Sequence, residues 1–196
     1  MKGYSLPISV EIQQASFSIR NQGDYRMVLD CFSALNDPEL TEQERLYACL
    51  LIFYELDSLE DLNRIPNIKE AVEKMFEFFN CGNENPGRQM NYKLIDWEKD
   101  SQMIISSVNR VAQKEVRAEK YIHWWTFMGY YMEIGECTLS YIVSIRHKIA
   151  TNQKLEKYER KFKSENPEYF QIDMRSIGQK QDEDLILNLW NGGGDC

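Results

Sequence analysis

The sequence has few residues of the kinds that bind metals. Histidine occurs only twice, at His123 and His147, and no two cysteines have CxxC spacing. Because zinc sites draw on clustered cysteine and histidine side chains, we expect no bound metal and no cofactor. The odd number and wide spacing of the cysteines predict free, buried thiols in a reducing compartment. These five residues are Cys31, Cys49, Cys81, Cys137 and Cys196.

Long apolar runs and catalytic motifs are also absent. No stretch of about 18 apolar residues occurs, so we expect no membrane span, and the first residues lack the apolar core of a signal peptide. The Walker, GxGxxG, GxSxG and HExxH patterns do not appear. These absences predict a soluble intracellular protein that is not an enzyme and has no catalytic residues.

The composition is that of an ordered globular protein with an acidic surface. The chain has 196 residues, of which 43% are hydrophobic and 12% aromatic. Its formal net charge is −8, with a pI near 4.9. A molecule of this charge is repelled by phosphate backbones, so we expect no nucleic-acid partner. A local basic patch nevertheless remains compatible with this overall charge.

The first half of the chain predicts a small β-hairpin followed by helices. Apolar residues alternate at Ile8, Val10 and Ile12 and again at Phe17 and Ile19, which is the period of half-buried strands. Helix starts are predicted at three capping patterns that precede apolar stripes. These are Asp24, the capping box from Thr41 to Glu44, and Asn67.

The second half predicts further helices separated by a loop. Residues 82–91 have a loop composition, which favours a hinge there. Helices are expected over about 96–112, about 117–150 and within 154–162. We therefore predict a mainly α protein, with a helical domain of about six helices and an N-terminal β-hairpin at 1–165. A flexible C-terminal segment is expected at 166–196. Asp96, Glu98 and Asp100 would lie in a first helical turn, where negative charge favours the helix dipole.

The most distinctive stretch is HWWTFMGYYMEIGE, residues 123–136. On a helix its aromatic residues form a wide apolar arc, which favours core packing, although a ligand pocket or partner groove remains the alternative. Within this helix, Gly129 and Gly135 predict the close approach of another backbone. His123 is expected on the helix face, one turn after Glu119, without a catalytic role. The residues assigned to this core or groove are Trp124, Trp125, Phe127 and Tyr131.

The C-terminal sequence DEDLILNLWNGGGDC predicts a short amphipathic helix. Three acidic residues precede an apolar stripe about two turns long, which is marginal as an isolated helix. We expect this stripe to bind a neighbouring subunit or a partner protein, although permanent docking on the chain's own core is the alternative. The residues that we predict to bind the partner are Leu185, Ile186, Leu189 and Trp190.

Four segments carry a resemblance to a known family. They are DWEKDSQMIISSV (96–108), YIHWWTF (121–127), TLSYIVSIRHKI (138–149) and KLEKYERKF (154–162). In this order, with a D-x-E-x-D segment, an HWW-x-F segment and an isoleucine–arginine pair, the chain resembles a family of siphophage and Firmicute-prophage proteins. Members are encoded between the major tail protein and the tape-measure protein. The resemblance spans roughly residues 1–165.

The resemblance implies a tail assembly chaperone-like interaction protein. Such a protein would bind the tape-measure protein, the major tail protein or both, and a homo-oligomer is compatible with this role. It would act in the bacterial host cytoplasm and be absent from the mature virion. The alternative is a virion structural protein, such as a neck or tail-completion component. The family has no catalytic residues to carry over to this chain.

Overall fold

The protein is mainly helical in the computed structural model, which describes residues 5–82 and 94–172. The chain divides into two compact units. The described part of the first unit comprises residues 5–82 and 119–128, and that of the second comprises 94–118 and 129–172. The predicted fold class is confirmed. The domain boundary at 165 stays a prediction. The hinge at 82–91 also stays a prediction, because residues 83–91 lie outside the described residues.

The first unit begins with the β-hairpin. Strands β1 (Ser9–Ile12) and β2 (Ala15–Ser18) pair antiparallel, with Val10 opposite Phe17. The two turn residues, Gln13 and Gln14, both have positive φ, as a tight two-residue hairpin turn requires. Val10 and Ile12 are buried. Ile8 precedes the strand and is exposed, so it does not share their buried face as the alternation predicted.

Three α-helices of the first unit begin at the predicted caps. Helix α1 (Tyr25–Leu35) is capped by the Asp24 carboxylate, and α3 (Ile68–Phe79) by the Asn67 side chain. Helix α2 (Glu42–Phe53) has the complete capping box between Thr41 and Glu44. Each cap satisfies backbone N–H groups that have no partner inside the helix. Two 3-10 helices, Arg20–Gly23 and Leu59–Arg64, were not predicted.

The core of the first unit is aromatic. The Phe53 ring meets Phe78 and Phe79 edge-on, with ring centroids 5.3 and 5.7 Å apart. Edge-to-face contacts of this kind add to the stabilisation from burial. Cys31 and Cys49 are buried in the same unit as free thiols, in agreement with the expectation for these two cysteines.

The second half corrects two helix predictions. Helix α4 spans Ser101–Ala112, because residues 97–100 form a turn and not the first helical turn. The long helix predicted over 117–150 is wrong. The chain instead forms a 3-10 helix (Val116–Ala118), then α5 (Trp124–Met132) and α6 (Thr138–Ala150). Helix α7 (Lys157–Glu165) and a 3-10 helix (Pro167–Phe170) follow.

Gly135 lies in the break between α5 and α6. Its φ is +59°, a conformation that glycine adopts readily and that ends helices. A Cβ atom built on Gly129 or Gly135 would have no neighbouring atom within 4 Å. The predicted close approach of another backbone at these glycines is therefore wrong. None of the described helices is long and apolar enough to cross a membrane.

Candidate functional site

The two tryptophans of the HWW stretch bind the end of α3. The indole Nε1–H of Trp124 donates to the carbonyl oxygen of Phe79, and that of Trp125 donates to the carbonyl oxygen of Phe78, both at 2.9 Å. The last carbonyls of a helix lack partners within the helix. The Trp124 bond gives the Phe79 carbonyl a partner, whereas the Phe78 carbonyl accepts from the Cys81 N–H as well as from Trp125. Trp124 is buried and Trp125 is half-buried.

His123 caps the start of α5. Its Nδ1 accepts a hydrogen bond from the Trp125 N–H at 3.1 Å, so the proton lies on Nε2, which donates to the Pro7 carbonyl at 3.0 Å. Burial lowers the pKa of His123, although the Pro7 bond and the Asp24 charge oppose this effect. Residues 119–123 are not helical, so the placement of His123 on a helix face one turn after Glu119 is wrong.

Asp24 joins the segment before α5 to the start of α1. Its carboxylate accepts from the Ile122 N–H at 2.9 Å and from the Arg26 side chain at 3.1 Å. Arg26 in turn donates to the Glu119 carbonyl at 2.7 Å. The carboxylate is nearly inaccessible to water, and these donors satisfy it. Its arrangement is that of a structural anchor.

Phe127 and Tyr131, which were assigned to one arc, belong to different units. Phe127 is buried in the first unit and stacks on Tyr25 with ring centroids 4.5 Å apart. Tyr131 is half-buried in the second unit against Trp97, at 5.3 Å. Burial raises the pKa of Tyr131 to about 12. The structure therefore brings three of the four predicted residues into the first unit and places the fourth in the second.

A buried ion pair in the second unit was missed. Arg146 donates to both carboxylate oxygens of Asp100, at 2.6 and 2.9 Å, and also to the carbonyls of Leu94 and Tyr169. The sequence predicts Asp100 in a first helical turn, where it would interact with the helix dipole. This prediction is wrong, because Asp100 precedes α4 and is buried in an ion pair with Arg146. The available signal was the position of Arg146 in the buried stripe of α6, four residues after Ile142.

The second unit also contains a cleft of about 400 Å³ beside the N-terminus of α6. Cys137 lines it, and its sulfur accepts from the Ser140 N–H at 3.4 Å and the Ser107 hydroxyl at 3.5 Å. Burial opposes ionisation, but these bonds lower the pKa of Cys137 overall. Across residues 5–82 and 94–172 no three His, Cys, Asp or Glu side chains are grouped to hold a metal.

Apolar side chains are exposed near the N-terminus. Leu6 and Ile8 are 48% and 52% exposed, and Tyr121 is 43% exposed. They lie on the two chain segments that the bond from His123 to Pro7 joins, and the Tyr121 hydroxyl donates to the Gln22 carbonyl at 3.0 Å. We refer to Leu6, Ile8 and Tyr121 as the N-terminal apolar surface. The predicted partner-binding residues Leu185, Ile186, Leu189 and Trp190 lie outside the described residues.

The described residues define a mainly helical protein in which the Asp100, Arg146 and Trp124 side chains bond internally. Comparison with known families is more specific, because residues 4–171 match the model of the Bacteriophage Gp15 protein. The chain belongs to this bacteriophage family. No curated protein and no solved structure gave a significant match.

Proposed function

We propose that this protein is a tail assembly chaperone-like interaction protein. It binds the tape-measure protein, the major tail protein or both during tail assembly, in the cytoplasm of the bacterial host. In this proposal it acts without a cofactor, is not an enzyme, and contacts neither nucleic acid nor membrane. It leaves the tail before the virion is complete.

Family membership is the observation that carries the proposal. The match to the Bacteriophage Gp15 protein covers residues 4–171 and makes this a phage protein. The ordered motifs add the finer resemblance to proteins encoded between the major tail protein and the tape-measure protein. All of those motifs lie inside the matched range. In the family that the chain resembles, this gene position is that of tail assembly chaperones.

The N-terminal apolar surface supports a protein-binding role. Leu6, Ile8 and Tyr121 are exposed on two segments that the bond from His123 to Pro7 joins, and exposed apolar side chains offer contact area to an apolar partner. The described residues of the first unit carry fifteen acidic and seven basic side chains. An apolar area within so acidic a surface suits an amphipathic helix with basic flanks, bound through its apolar face.

Co-expression with the tape-measure protein tests the proposal. We expect the wild-type protein to keep the tape-measure protein soluble and to co-purify with it. The variant Leu6→Ser/Ile8→Ser should lose both effects, because it removes apolar contact area without touching the core. Leu59→Ser is the matched control, since Leu59 is 59% exposed in the same unit. Variants Leu185→Ser and Trp190→Ser test the C-terminal stripe in the same assay.

Mass spectrometry of purified virions separates the proposal from its alternative. A chaperone should be absent from the particle, whereas a neck or tail-completion protein should be present in stoichiometric amount. An insoluble tape-measure protein in the presence of the wild type would contradict the proposal. Equal loss of binding in Leu59→Ser and Leu6→Ser/Ile8→Ser would remove the role of the N-terminal apolar surface.

A further inference from the structure

The two units differ sharply in charge. The described residues of the first unit have a formal net charge of −8, from fifteen acidic and seven basic side chains. Those of the second unit have a net charge of +1, from ten acidic and eleven basic side chains. The second unit is therefore the part of an acidic molecule in which a local basic surface occurs.

Helix α7 carries this basic surface. Its inner face is formed by Glu159, which binds Lys148 at 2.6 Å, and by Phe162, which packs on Tyr141. Its outer face presents cations to solvent, and a further lysine precedes the helix. We refer to this set as the α7 basic surface. Its exposed members are Lys154, Lys157, Arg160, Lys161 and Lys163.

These cations have little to neutralise them among the described residues. Glu159 forms an ion pair with Lys148, and Glu156 is the N-cap residue of the helix. The one ion pair that the outer face makes there joins Lys161 to Glu165 at 3.7 Å between two exposed side chains. An exposed ion pair of this length contributes little to stability. The surface therefore keeps a net positive charge that can attract an anionic partner.

Aromatic side chains border the cations. Tyr158 is 61% exposed on one flank of α7. Tyr141 and Phe162, which are half-buried, meet edge-on at 5.0 Å on the inner side of the helix. A ligand that matches the whole surface needs negative charge followed by apolar groups. A bare polyanion would use only the cations.

The chain itself contains such a sequence. Residues 182–184 are Asp-Glu-Asp, and they are followed directly by Leu185 and Ile186 and then by Leu189 and Trp190. Residue 182 follows the last described residue by ten positions, which at ~3.3–3.6 Å per residue spans at most about 33–36 Å. The point of departure lies close to α7, because the Phe170 ring contacts Phe162 with centroids 6.4 Å apart.

We propose that residues 182–190 dock on the α7 basic surface of the same chain. The three acidic residues pair with the cations of the outer face, and the apolar residues contact Tyr158 and its aromatic neighbours. A tether of this length gives a high effective concentration, so even weak contacts hold the segment in place. The inference does not rest on the proposed function, because it concerns the chain without a partner.

Hydrogen exchange of the full-length protein tests this docking. We expect the amides of 185–190 to exchange about tenfold faster in Lys157→Glu/Lys161→Glu, because two attractions become repulsions. Adding Asp182→Lys/Asp184→Lys to that variant should restore protection by exchanging the charges. The matched control is Lys69→Glu/Lys120→Glu, which reverses two exposed cations of the first unit and should exchange like the wild type. The melting temperature of each variant verifies folding.

Three outcomes would overturn the docking. Unprotected amides at 185–190 in the wild type would show that the segment does not dock. Protection that survives Lys157→Glu/Lys161→Glu would place it on another surface. Protection that rises with protein concentration would show that a second copy supplies the surface. If a single-stranded oligonucleotide binds the wild type but not this variant, and the segment is unprotected, the basic surface binds phosphates instead.

Discussion

Breaking the buried ion pair between Asp100 and Arg146 should strongly destabilise the second unit. Both side chains are almost fully buried, at 2% and 1% exposure. In Arg146→Ala, the Asp100 carboxylate would remain buried with the Asp96 N–H but without its cation. The carbonyls of Leu94 and Tyr169 would lose the guanidinium as well. Removing one member of a buried pair costs about 3–5 kcal/mol, because a buried charge is left uncompensated.

The assay is denaturant and thermal unfolding of the full-length chain. At about 2–4 °C per kcal/mol for a protein of this size, the melting temperature should fall by about 6–20 °C. Lys161→Ala is the control, because its pair with Glu165 is 3.7 Å long with both side chains mostly exposed. That variant should cost no more than about 1 kcal/mol.

Replacing both partners by apolar residues separates the charge from the packing. If the penalty in Arg146→Ala comes from the uncompensated carboxylate, then Asp100→Leu/Arg146→Met should be markedly more stable than either single variant. The reasoning would be refuted if Arg146→Ala unfolded no more easily than Lys161→Ala. It would also be refuted if the double variant lost as much stability as the two single variants together.

Four further predictions concern the first unit, with Gly129 of helix α5 for comparison, and the C-terminal segment. Trp124→Ala should cost about 3–5 kcal/mol in chemical unfolding, since it leaves a cavity and an unpaired carbonyl. Gly23→Ala should cost at least about 1–2 kcal/mol, because φ is +79° and a Cβ would lie 2.7 Å from the Phe78 ring. Gly129→Ala should instead be stabilising, because a Cβ there would meet no atom within 4 Å. The pKa of His123 is lowered in the fold, so the contribution of neutral His123 to the free energy of unfolding should be complete above about pH 6.5. As the pH falls below that value this contribution is lost, and the melting temperature should decline. In His123→Asn this decline should be smaller. Deleting 182–196 should leave the melting temperature within about 2–4 °C of wild type.

Local patterns predicted the beginnings of the helices. Asp24, Thr41 with Glu44, and Asn67 each cap the helix that the sequence assigned to them. A cap depends on residues two or three positions apart, so it can be identified without knowing the rest of the fold. The hairpin was predicted for the same reason, since strand alternation and a two-residue turn are both short-range signals.

Longer-range features were not predictable. The predicted helix continued through residues 133–137, whereas the structure breaks there, with Gly135 in the left-handed conformation and Cys137 as the N-cap of α6. The partner of Arg146 lies 46 positions away in sequence, so no periodicity identifies it. Helical spacing suggested Glu119 as the partner of His123, whereas the imidazole bonds to the Pro7 carbonyl and to the Trp125 N–H. For Arg146 and His123, contacts distant in sequence decide the structure.

Key side chains of the D-x-E-x-D and HWW-x-F segments, which carry part of the family resemblance, are bonded inside the protein. In the D-x-E-x-D segment Asp100 binds the isoleucine–arginine pair through Arg146, and in the HWW-x-F segment both indoles bind the end of α3. The polar atoms that form these bonds are not available to a partner. Substitutions of Asp100, Arg146 or Trp124 should therefore lower stability and partner binding together. Substitutions at Leu6 or Lys157, which are exposed, should change binding or docking at unchanged stability, so only such variants can report on function separately from folding.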